Sequence, residues 1–193
     1  AMGLVTGQDF VGGLVGYNLN SSDISNAYWN METTGQLTSA GGGNGLTTAQ
    51  MFDQANLTGL DFSTIWGNGD NKTTPYLKNL ANNQVFNKND LPIGVISTAN
   101  RPALYTAILN VMQLQNINNN LSGKYVIGNH IDASDTVNWN SGAGFNPLGN
   151  LSTQFSGVFD GLGHTISNLT INRPTTYYVG LFGKTNSASI RNI

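Results

Sequence analysis

The sequence contains no cysteine, which excludes disulfides, thiolate nucleophiles and cysteine-based metal sites. Charge is almost as scarce: Asp, Glu, Lys and Arg make up 9% of the 193 residues and leave a net charge of −2, against roughly 25% charged residues in an average globular domain. Near-neutrality argues against nucleic acid as a partner, which demands a basic face. No apolar run approaches the roughly 20 residues needed to cross a bilayer, so no membrane insertion by this segment is expected, and no signal-peptide pattern is visible. Glu32 is the single glutamate, which leaves little material for paired-carboxylate chemistry.

What remains is glycine (24 residues), asparagine, serine and threonine around a hydrophobic share of 39%. That share is too high for a disordered chain. The mixture suits β-rich structure in which Gly, Asn, Ser and Thr make turns while Val, Ile, Leu and Phe fill a narrow core.

One motif occurs twice. The first copy contains Gly13-Leu14-Val15-Gly16 followed by Ile24-Ser25-Asn26, and the second Gly180-Leu181-Phe182-Gly183 followed by Ile190-Arg191-Asn192. Self-similarity of this kind marks stacked units. The reading for Gly13, Leu14, Gly16, Gly180, Leu181 and Gly183 is structural: the glycines permit tight turns and close backbone approach, and the leucines fill the core. The chain stops where its opening motif would continue, as a window from a longer array would.

Strand-length apolar runs at 10–29, 61–66, 125–127, 155–159 and 165–182 alternate with turn signals. Thr47-Thr48-Ala49-Gln50-Met51 reads as a capped helical turn. The Asn-rich stretch 79–90 reads as a connector, dividing the chain into 1–90 and 91–193. A helix is expected near 102–117, with Thr98 or Asn100 as cap, Pro102 in its first turn, and Leu104, Ile108, Val111 and Met112 on one apolar face.

Candidate chemistry is thin. Asp132, Asp135 and Asp160, with His130 and His164, are the acid–base candidates a glycosidase would need, but Asp160 precedes Gly161 as a turn residue does, and Asp132 reads similarly. No nucleophile elbow, phosphate loop or zinc helix is present. Gly67-Asn68-Gly69-Asp70-Asn71 offers calcium one carboxylate only. No catalytic residue, metal or cofactor is therefore assigned. Tyr28, Trp29, Trp66, Trp139, Tyr177 and Tyr178 could stack on sugars, although packing is the stronger reading for aromatics. Six Asn-x-Ser/Thr sequons, at Asn20, Asn56, Asn71, Asn120, Asn150 and Asn168, are read as mostly coincidental in so Asn- and Thr-rich a chain.

The segment Gly13–Asn18 with Ile24–Trp29 resembles the GLUG repeat of large bacterial surface proteins, and Gly35–Met51 resembles the segment closing such an array. Asn118–Tyr125, Ile131–Ser134, Trp139–Phe145 and Phe155–Ile166 resemble, in that order, filamentous-haemagglutinin-type adhesins of the two-partner secretion route. Where that pattern carries Asp before Ile131, this chain has His130. The resemblance implies an all-β fold, a right-handed parallel β-helix or solenoid with 102–117 as capping helix. It further implies a secreted or surface-anchored, outer-membrane-associated adhesin segment, not an enzyme, whose partner is a host-cell or matrix receptor or glycan. The alternatives are a structural spacer or a carbohydrate-processing β-helix enzyme; exposed coil edges would also allow head-to-tail self-association.

Overall fold

The structure is a computed structural model and describes residues 3–19, 24–40, 42–80, 82–91 and 103–193. Asn20, Gly41, Thr98, Asn100 and Pro102, which carry expectations above, lie outside the described residues. The chain forms two compact units, one of residues 1–78 with 86–103, the other of 79–85 with 104–193.

In the first unit a strand–cap–helix step occurs twice. Strand β1 (Tyr28–Asn30) leads into helix α1 (Met31–Thr34), and β2 (Asn44–Leu46) leads towards α2 (Thr48–Met51); β1 and β2 pair in parallel, Trp29 opposite Gly45. Each helix starts where a side-chain acceptor takes free backbone amides. Asn30 Oδ1 accepts from the Glu32 and Thr33 amides at 3.0 Å each, and the expected capped turn at Thr47 is closed as a capping box with Gln50. The steps are bonded to each other: Asn30 Nδ2 donates to Thr48 Oγ1 at 2.9 Å, and the single glutamate, Glu32, accepts from the Thr48 amide at 2.8 Å. An antiparallel pair, β3 (Trp66–Gly67) with β4 (Tyr76–Leu77), completes the unit. Trp29, Met51, Phe52, Leu57 and Tyr76 are buried there.

The second unit contains β6 (Leu104–Ile108), α3 (Val111–Asn116), β7 (Lys124–Ile127), β8 (Ile131–Asp132), β9 (Val158–Asp160), β10 (Ile166–Ser167) and β11 (Ser189–Arg191). With β5 (Gln84–Phe86), four of them make a sheet ordered β11-β9-β7-β6-β5. Tyr125 lies opposite Phe159, and Phe159 opposite Ile190, all in parallel. A parallel β8–β10 pair and parallel bridges Leu148–Phe182 and Phe155–Thr185 run beside it. Ile127, Ile131, Phe145, Leu148, Phe155 and Phe159 fill the core, and Leu181 and Phe182 of the second motif pack against it.

The structure corrects the expected fold class. The chain is not all-β, and no closed right-handed parallel β-helix or solenoid is formed among the described residues. Among the described residues, strands of two to five residues fall into four small sheets, one of them antiparallel, interrupted by α-helices and 3-10 turns. The cause is composition: Asn, Asp and Thr side chains compete for backbone amides and stop each strand in a capped turn. The helix expected over 102–117 is also corrected. Residues 104–108 form β6, in which Tyr105, Ala107 and Ile108 are buried, and the helix begins only at Val111, where Asn110 Oδ1 accepts from the Gln113 amide at 2.9 Å. The apparent face is split, because Leu104 is 48% and Met112 55% exposed.

Leu114, fully buried, is the anchor of α3. Leu114→Ala should cost about 2–5 kcal/mol of unfolding free energy and Met112→Ala less than about 0.5 kcal/mol, read by urea denaturation. Equal costs would restore the apolar face drawn from the sequence.

Candidate functional site

The two motif copies share a local device. Phe10 and Tyr178, just before each Gly-Leu-x-Gly, adopt left-handed backbone conformations (φ 51° and 61°) that turn a carbonyl onto the motif's last glycine. A Cβ on Gly16 would lie 2.1 Å from Phe10 O, and one on Gly183 2.8 Å from Tyr178 O and 2.3 Å from Gly149 O. In each copy that aromatic ring meets the residue after the last glycine: Phe10 lies edge-to-face on Tyr17 at 5.1 Å, and Lys184 Nζ sits 5.4 Å over Tyr178. The need for glycine is therefore spatial, since Gly13, Gly16, Gly180 and Gly183 do not have positive φ. Gly13 lies flat under Trp29, whose ring a Cβ would meet at 2.1 Å, whereas at Gly180 it would meet only Phe182 O, at 3.2 Å. Leu14 and Leu181 are half-buried.

The motif's closing asparagines form a second device, and a third example at Ile166-Ser167-Asn168 was legible in the sequence but missed. Asn26, Asn168 and Asn192 all take positive φ (49°, 57° and 56°), which Asn tolerates better than most residues. Asn168 Nδ2 donates to Asp132 Oδ1 at 3.0 Å and Asn192 Nδ2 to Asp160 Oδ1 at 2.9 Å, across equivalent parallel registers. Each aspartate also accepts an amide two residues on, from Ser134 and Leu162 respectively, at 3.0 Å. The Asn168 amide, then the Ser134 amide, holds the Asp132 carboxyl below its ordinary range. Buried Asp160 additionally pairs with Arg191 Nε at 2.9 Å.

The remaining candidates fall into similar roles. Asp135 is exposed in a 3-10 turn. His164 is buried edge-to-face against His130, centroids 5.0 Å apart. His130 Nδ1 lies 3.1 Å from the Thr165 amide and 3.0 Å from the Thr165 hydroxyl. In the Gly67–Asn71 loop, Asn71 Oδ1 accepts from Asn68 Nδ2 at 2.7 Å and from the Gln54 amide at 3.1 Å. Of the aromatics, Trp29 is buried and bonded to Gln36 O at 2.9 Å, Tyr28 bonds Thr58, and Trp139 packs on the core. Trp66 is half-buried beside Tyr28, Met51 and Leu57. Tyr177 is different: it is 87% exposed, and Tyr178 is 49% exposed.

These two tyrosines border a groove of about 590 Å³ in the second unit, walled by side-chain amides including Gln115, Asn118, Asn119 and Asn150, with Arg173. No carboxylate is among its lining residues. Gln115 exchanges bonds with the Asn146 backbone (3.0 and 2.8 Å), Asn118 Oδ1 accepts from the Gly149 amide at 3.2 Å, and Arg173 Nε donates to Phe145 O at 3.2 Å. The walls are thus fixed before anything binds.

No family model matches the chain, and no solved structure matches it. It is similar to halomucin of Haloquadratum walsbyi, with 36% identity over 98 residues, 48% of this chain; the chain spans about 1% of halomucin's length. Halomucin is a large archaeal cell-surface protein, and the match supports a cell-surface location.

The crowding at the motif glycines sets an order of tolerance. Gly13→Ala and Gly183→Ala should each lower stability by about 2 kcal/mol, the scale of overpacking, and Gly180→Ala by less than about 1 kcal/mol. Urea unfolding followed by circular dichroism measures this, and the reverse order would refute the spatial role.

Proposed function

We propose that this chain is a non-enzymatic attachment segment of a large secreted cell-surface protein, of the bacterial outer-membrane-associated adhesin kind. Its partner would be a host-cell or matrix receptor or a glycan, held by repeated weak contacts whose avidity comes from effective concentration. The observation that carries the reading is the division of labour among polar residues. Asp132 and Asp160 are engaged in turns and cross-strand bonds, while exposed aromatics stand beside both Gly-Leu-x-Gly copies, Phe10 at 72% and Tyr177 at 87%. The similarity to halomucin supports the surface setting. A spacer without its own receptor is the second reading, favoured by the structural part that the motif glycines play.

Beads coated with the chain, perfused over cultured host cells and over matrix-protein surfaces, separate the two. Attachment predicts saturable retention competed by free chain. Retention no greater than that of uncoated beads would make the segment a spacer.

A further inference from the structure

We propose that the groove between Tyr177–Tyr178 and the amides of Asn118, Asn119 and Asn150 binds a short pyranose oligosaccharide; this deepens the attachment reading and rests on it. The volume, about 590 Å³, falls within the roughly 300–1,000 Å³ of small-molecule sites. A pyranose ring presents an apolar C–H face and a rim of hydroxyls that donate and accept. The wall matches both needs. Side-chain amides carry donors and acceptors together; those of Asn118 and Asn150 are partly committed to the backbone, Arg173 adds one positive charge, and tyrosine rings supply flat apolar faces at little entropic cost.

Tyr177 gains nothing from packing, being 87% exposed. Its neighbour is fixed: Tyr178 is set by its left-handed backbone conformation, by its carbonyl against Gly183 and by Lys184 over its ring. Arg173 is held against the loop through Phe145 O and Asn146 Oδ1, so a guanidinium edge is positioned for a hydroxyl or ring oxygen. Preorganised polar walls beside an exposed aromatic pair are what a weak, specific sugar contact requires. With no carboxylate in the lining, the expected outcome is retention rather than cleavage.

The test uses the whole chain on an array of oligosaccharides built from galactose, mannose, N-acetylglucosamine and glucuronic acid, followed by calorimetric titration of any hit. Tyr177→Ala, and Tyr178→Asn (chosen because Asn tolerates the left-handed backbone), should each weaken binding about tenfold or more. Tyr17→Ala, outside the groove, should leave it unchanged, and thermal melts report whether each variant is folded. Should a variant melt early, amide chemical-shift mapping on the wild-type chain decides instead: shifts at Asn118, Asn119 and Asn150 support the site and shifts confined elsewhere overturn it. Oligosaccharide binding indifferent to both tyrosines overturns the groove but leaves the attachment reading intact, as does retention on cells with an empty array. An empty array together with no retention on cells removes both.

Discussion

Asp160 is the point on which the second unit turns. Its carboxylate is fully buried and holds three partners at once: the Leu162 amide that closes its own turn, the Asn192 side chain, and the Arg191 guanidinium on the next strand. Arg191 reaches on to Tyr105 on β6 at 3.4 Å, so one buried charge ties β6, β9 and β11 together. Burying a charge is costly unless it is paired and hydrogen-bonded, and here its bonds are distributed over the elements that must be held in register. The strands are too short to fix that register by backbone bonds alone.

The same economy recurs elsewhere, with one more carboxylate and with neutral groups. Asp132 and Asn168 repeat the Asp160–Asn192 bond beside β8 and β10, Asn30 and Thr48 link the two helical steps of the first unit, and Asn110 starts α3. In a chain with few charges, side-chain amides and hydroxyls satisfy the backbone wherever a strand stops. The structure stays irregular for the same reason. Polar turn residues that cap so effectively leave no stretch long enough for regular coils, and helices and 3-10 turns appear where a uniform β stack was expected.

Much of the local chemistry was legible in the sequence. Asp160 before Gly161 and the capped turn at Thr47–Met51 could be read because each is decided within a few residues, although the part of Gln50 in the cap was not. The duplicated Gly-Leu-x-Gly was equally visible, though its glycines matter for space rather than for φ, which only Trp29, Phe10 and Tyr178 in place reveal. The helix expected over 102–117 was begun too early, because Leu104 and Ile108 fall at helical spacing with Val111 and Met112 by accident, while Tyr105 and Ala107, at strand spacing, carry burial in β6; from Val111 the chain is helical as expected. The groove could not be read at all. Its walls come from residues 115–121, 146–153 and 173–178, which meet only after one pass of the chain has stacked on another.

The frame and the contact surface therefore lean on different residues: Asp160 and the motif glycines hold the frame, and Tyr177 and Tyr178 border the groove. The most direct measurement of that claim is hydrogen exchange on Asp160→Asn, which keeps the shape but sets an amide donor against Arg191 Nε. Loss of about 3 kcal/mol of protection, concentrated in residues 104–108, 158–162 and 189–192, is the predicted result. Unchanged protection across those strands would mean that apolar packing alone holds the unit, and the buried carboxylate would lose its central place.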